Sequence, residues 1–290
     1  MPSWNIHIAQ TEVLFEEPAA VAHIVRDRNA FLFGSLVPDI YVGYMVPAVT
    51  HPIAYRITHF ATPAHIPKPR EHEFWDTYVA SHATRLGIGA QATTADSDEQ
   101  TICASSLKLE QDFVSRTHYP ARYVDAAPPV VQSCAQDDEL GEEGLDRSLF
   151  DFVLGVWSHL VADNLWNTRV NEFLDAHGGK PSEQFRIKKQ GDFDAFGKTL
   201  RIDWVPRPTP RLLATAARFP QYAIDEQTTL LAIGVAHETV RTNHAPAEPY
   251  QYRLLTSGFF SQTFTESVEL TNRLLKERLS ATHVDTPAGA

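Results

Sequence analysis

His159 and Asp163 stand four apart in SHLVADNLWN, residues 158–167, within an otherwise apolar run. On an α-helix, residues four apart stack on one face, so this imidazole and this carboxylate reach a common point without backbone strain. Neutral imidazole and carboxylate are natural Zn²⁺ ligands, and a catalytic zinc takes about three protein ligands plus a water. Taken alone, an H-x-x-x-D pair is also what a satisfied core hydrogen bond or a surface pair looks like. Three further residues shift the balance toward a metal. His7 lies in the first apolar segment, Asp39 follows Pro38 at the end of FLFGSLVPDI, and His59 sits in ITHF. A carboxylate next to as much apolar surface as surrounds Asp39 needs a partner.

Other residues carry weaker signals. Glu238, in VAHETV, is a free carboxylate that would serve as a general base, although it and His237 point in different directions on a helix. His51 is an auxiliary ligand or substrate donor on one reading and a loop residue beside Pro52 on the other. His72, between Glu71 and Glu73, reads as surface, and Trp157 and Trp166 read as core. No G-x-S-x-G, P-loop, dinucleotide-binding fingerprint or C-x-x-C is present, which leaves serine-hydrolase, kinase and dehydrogenase chemistry without support.

The elements that must position these residues are helical. Apolar residues recur at helical spacing, and alternating strand-like runs are scarce. The pattern predicts helices over 6–15, 19–26 and 29–36, the last broken by Pro38, then irregular chain over 51–69 with a short helical piece around Ile57 and His59. Helical spacing resumes over 71–86. Residues 87–146 are small, polar and rich in breakers, with AAPP and the acidic AQDDELGEEGLD, and predict a solvated insertion carrying one helix over 105–115. Asp146 looks like the N-cap of a helix of about eight turns that ends at Gly178-Gly179. Further helices are predicted near 191–200, 209–217, 223–241 and 258–280. With no internal repeat and no clean linker, the reading is one all-α domain over 1–290, a multi-helix bundle.

Bulk properties narrow the function. Hydrophobic residues at 43% and charged residues at 21% suit a soluble globular chain. A formal charge of −11 repels phosphate backbones and argues against a nucleic-acid partner. No apolar run reaches the roughly 18–20 residues that a membrane span needs. The N-terminus shows no basic segment followed by an apolar one, and Cys103 and Cys134 read as two reduced thiols, so the expected location is cytoplasmic.

FLFGSLVPDI, YRITHF with its histidine twenty residues after the aspartate, and GVWSHLVADNLWN together resemble the zinc-dependent phospholipase C family in order, spacing and flanking residues. That family includes bacterial phospholipases C and the N-terminal domain of the glycosylphosphatidylinositol-specific phospholipase D. The closest likeness is to its short bacterial members, which begin much as MPSWNIHIA does. The resemblance covers the first 60 residues and roughly 145–175 well, the C-terminal third loosely, and 87–146 not at all. It implies an all-α bundle around a zinc cluster. Asp39, His59, His159 and Asp163 would bind one metal, and Asp163 would bridge to a second near His7. Two departures bear on the metal count. Trp4 is internal, so an N-terminal tryptophan chelate cannot form. Asn167 follows Trp166 where longer members carry a histidine, and their later H-x-x-x-E pair is absent. The implied cofactor is therefore one or two ions, zinc or another divalent metal.

The expected function is metal-dependent hydrolysis of a phosphoester, with Asp39 and Glu238 as catalytic carboxylates and a small-molecule or lipid-headgroup phosphoester as substrate. Two alternatives stand beside it: a non-catalytic metal-stabilised helical binding protein, and a metalloenzyme tailoring a small metabolite.

Overall fold

In the computed structural model, residues 2–16, 20–43, 45–47, 49, 51–88, 141–179, 182–245 and 250–281 are described. They are all-α. Among them no β-sheet forms, and pairing is limited to an isolated bridge between Ala61 and Pro69. The elements in chain order are α1 (Trp4–Glu16), α2 (Ala20–Ile24), α3 (Arg28–Gly34), α4 (Val37–Ile40), α5 (Tyr55–Thr58), α6 (Glu71–Phe74), a π-helical segment (Trp75–Val79), α7 (Ala80–Arg85), α8 (Glu142–Ala176), α9 (Glu183–Thr199), α10 (Pro210–Ala217), α11 (Glu226–Arg241) and α12 (Ser257–Ala281).

Helix α8 is the axis. From Ser148 to Asp163 every residue is buried: Leu149, Phe150, Val153, Trp157 and Leu160 pack into the core, and the polar Asp151, His159 and Asp163 turn inward as well. A helix that is apolar all round must be surrounded by other elements, and α3, α10 and α12 pack along it. Trp157 packs edge-on against Trp75, and Trp166 contacts Phe193, which confirms both tryptophans as core. The ends of the surrounding helices follow ordinary capping chemistry. Asp27, Ser182, Thr209 and Asp225 each accept a hydrogen bond from the backbone N–H three residues on.

The closest crossing joins α3 to α8 through two glycines. A Cβ built on Gly34 would lie 2.1 Å from the Phe152 carbonyl oxygen, and one built on Gly155 would lie 2.1 Å from that of Phe31. Each glycine thus faces the other helix's backbone, and no side chain fits at either position. Three buried carboxylates tie loops to this frame. Asp151 accepts from the amides of Arg26 and Asp27. Glu12 accepts from those of Asp203 and Trp204, and Asp192 from those of Arg253, Leu254 and Leu255.

Several boundaries differ from the sequence reading. Asp146 is not an N-cap: α8 starts at Glu142 after Gly141. Glu142 and Glu143 sit favourably at the positive end of the helix dipole, so the acidic stretch extends the helix rather than preceding it. Pro38 does not break a helix. It occupies the first turn of α4, where the missing N–H costs nothing. The run over 71–86 is helical but passes through the π-helical segment. The stop after α8 is as expected, with Gly178 at a φ of +65° and the Gly179 amide donating to the Leu174 carbonyl. The predicted helix over 105–115, both cysteines and most of the proposed insertion lie outside the described residues.

Two stability predictions follow from this frame. Gly34→Ala and Gly155→Ala each force a methyl into a backbone carbonyl and should cost about 3 kcal/mol or more, measured by chemical denaturation. Burial pushes the Asp151 carboxyl up to about 7, outweighing the pull of Arg147 and the two amides. The raised folded value means that protonation favours the folded state, so this contribution is full at low pH and is lost as pH rises toward 7. Between about pH 4 and 7, Asp151→Asn should therefore flatten a decline in stability that the parent chain shows.

A candidate metal centre in the bundle core

Helical spacing brings His159 and Asp163 to one face of α8, as the sequence suggests. His7 arrives from α1, Asp39 from α4, and His59 as the residue that caps α5. Each of the five is exposed by 3% or less. Their donor atoms form two overlapping groups that could each hold a metal ion, His7–His159–Asp163 and Asp39–His59–His159.

The spacings suit a small cation. His59 Nε2 lies 3.2 Å from His159 Nε2, 3.4 Å from Asp39 Oδ1 and 3.5 Å from Asp163 Oδ2. His159 Nε2 lies 3.9 Å from Asp163 Oδ2. Donors around a tetrahedral zinc with bonds of about 2.0–2.1 Å are separated by about 3.3–3.4 Å. Asp163 divides its oxygens: Oδ1 faces His7 Nε2 at 3.6 Å, and Oδ2 faces His59 and His159. That split turns one oxygen of Asp163 toward each of the two donor groups.

Proton positions make the case chemical rather than only geometric. His159 Nδ1 lies 2.8 Å from the Ser35 carbonyl, which can only accept, so that nitrogen carries the proton. The Thr58 hydroxyl lies 2.9 Å from His59 Nδ1 and 3.3 Å from the Tyr55 carbonyl. His59 Nε2 and His159 Nε2 face each other at 3.2 Å, and with the His59 proton on Nδ1 both would present lone pairs to a shared ion. His7 Nε2 and Asp163 Oδ1 are buried with no hydrogen-bond partner. A cation among these atoms satisfies all of them. The Nδ1 hydrogen bonds are the outer contacts that usually orient metal-binding histidines.

Electrostatics point the same way. Burial and the neighbouring imidazoles hold His7 well below the ordinary histidine value, and burial lowers His59 despite its contacts with Asp39 and Asp163. Both are therefore neutral ligands near pH 7. Burial pushes the Asp39 carboxyl up, but its hydrogen bond with His59 outweighs this and holds it below the usual carboxylate value. Among the described residues, no lysine or arginine forms an ion pair with Asp39 or Asp163 within 4 Å.

A cavity of about 10 Å³ borders His7 and His159 on the side of α1 and α12, lined also by Gln10, Thr11, Ser158 and Thr271. That is room for about one water centre.

Glu238 does not join the centre. Its carboxylate is exposed and bound to Arg241 on the outer face of α11, which holds it below the usual carboxylate value. The i, i+3 spacing of Glu238 and Arg241 makes them surface partners. His237 bonds to the Pro206 carbonyl, and His51 and His72 are exposed. The sequence reading missed Tyr55, whose hydroxyl donates to Asp163 Oδ2 at 3.0 Å and whose ring stacks on His59 with centroids 3.7 Å apart. The Y-x-x-x-H spacing within YRITH was its available signal.

Comparisons with family models, curated proteins and solved structures give no match. The functional reading therefore rests on the residues themselves.

His159 belongs to both donor groups, so His159→Ala should abolish metal uptake. His7→Ala should lower stoichiometry without abolishing it, and His237→Ala should leave it unchanged. Elemental analysis of the purified full chain after metal loading checks all three.

Proposed function

We propose that this protein is a zinc-dependent hydrolase acting on a phosphoester. The observation that supports the metal part is the convergence of His59 Nε2 and His159 Nε2, 3.2 Å apart, with the carboxylates of Asp39 and Asp163. His59, His159 and Asp163 would hold one ion and leave its fourth position to water, with Asp39 beside it and with Asp163 and His7 turned toward a second. When bound, zinc supplies Lewis acidity at a phosphoryl oxygen and makes a nearby water acidic enough to react near neutral pH.

The chain's own residues have separable tasks. Asp163 is committed through both oxygens, which leaves Asp39 as the carboxylate to accept a proton from water. His7 and His159 border the water-sized cavity, so solvent has a place next to the donors. Lys189 of α9 is buried, which lowers its ammonium value, while the charge of Asp163 pulls it back up. The choice of a phosphoester over an uncharged substrate rests on the resemblance given above. No helix among the described residues is long and apolar enough to cross a membrane, so a lipid substrate would have to be met at a surface.

A second reading, a metal held only for stability, is favoured by the near-complete burial of all five donors. Structural zinc sites are closed, whereas catalytic ones keep an open position.

The two separate in one assay. Zinc-loaded protein should hydrolyse bis(p-nitrophenyl) phosphate or p-nitrophenyl phosphate, lose that activity with a chelator and regain it with zinc. Asp39→Asn should lower the rate by about 100-fold or more. Full metal content with no hydrolysis of either ester, together with a large stabilisation by zinc, would establish the structural reading instead.

A further inference from the structure

Tyr55 touches the candidate centre from two directions. Its hydroxyl donates to Asp163 Oδ2, and its ring lies on the His59 imidazole at an interplanar angle of 24°. Its backbone carbonyl lies 3.3 Å from the Thr58 hydroxyl, which in turn contacts His59 Nδ1 at 2.9 Å. One residue therefore fixes a ligand on α5 and a ligand on α8. The five donors are buried, but Tyr55 is half-buried, in a segment where Ala54, Arg56 and Ile57 are exposed. It spans from the surface to the core.

A carboxylate oxygen has two lone-pair directions. With the phenol on one lone pair of Oδ2, the other faces His59 and His159, and rotation of the Asp163 carboxylate is blocked. Oδ1 is then held toward His7. We propose that Tyr55 is a positioning residue that sets the bridging orientation of Asp163, and so determines whether the His7 side retains an ion, while its ring shields the centre from solvent. This inference rests on the metal-centre reading given above.

The test compares the full-length parent chain with Tyr55→Phe and Tyr55→Ala, using zinc and cobalt as probes. Tyr55→Phe keeps the ring and removes only the hydroxyl. It should weaken metal affinity about 10- to 100-fold, the usual cost of losing an outer contact to a ligand. The ion on the His7 side should be lost first, and the visible spectrum of the cobalt form should change. Tyr55→Ala should in addition speed zinc loss to a chelator. A parent chain that takes up no ion would overturn the metal reading and this proposal with it. A parent chain that binds metal, with Tyr55→Phe matching it in affinity, stoichiometry and cobalt spectrum, would overturn this proposal alone.

Discussion

The contact between the backbones of α3 and α8 sets the geometry of everything near the donors. Gly34 and Gly155 each press against a carbonyl of the opposite helix, and any side chain there would push the two apart. Ser35 follows Gly34 directly, and its carbonyl receives the His159 Nδ1 proton. His159 lies one turn beyond Gly155, Asp163 one turn further, and Asp39 one turn beyond Ser35. A displacement of α3 by even one methyl would therefore be transmitted to the tautomer of His159 and to the separation of Asp39 from the α8 ligands. Packed interiors pass on such strain rather than absorbing it.

The buried carboxylates divide into two kinds, and the division is the strongest argument for a cation. Glu12 and Asp192 are each met by two or three backbone amides and hold loops against the helices, while Asp151, met by two, is still pushed toward neutrality. Asp39 and Asp163 have no such amide donors; Asp163 has the Tyr55 phenol, and both carboxylates face imidazoles. Burying charge without compensation is costly, and folded proteins supply partners, shift the group to neutrality or bind metal. Here the donors are ones that suit a borderline divalent ion, with imidazole nitrogen and carboxylate oxygen and no thiolate.

Much of this was legible in the chain. The four-residue spacing of His159 and Asp163 places both on one helix face, and the apolar periodicity around them specifies burial. The same periodicity predicts an all-α fold. His7, Asp39 and His59 were readable as polar residues set in apolar segments, a pattern that needs a compensating partner. What was not legible depends on contacts distant in sequence. Nothing around Gly34 or Gly155 says that the two face each other's helix. Glu238 looked available because its partner Arg241 is a matter of side-chain geometry on an exposed face. Tyr55 resembled any aromatic residue until its hydroxyl met a carboxylate 108 positions away. The start of α8 was misplaced because the acidic run that reads as solvated loop is also what the first turn of a helix favours.

X-ray absorption spectroscopy at the zinc edge, on the full chain loaded with zinc, tests the central claim most directly, because it reports the atoms bonded to the ion. The structure predicts a first shell of nitrogen and oxygen only, at about 2.0–2.1 Å, with the outer-ring scattering of at least two imidazoles. A sulfur shell near 2.3 Å, or a spectrum of hydrated zinc without imidazole scattering, would place the metal elsewhere and contradict the account.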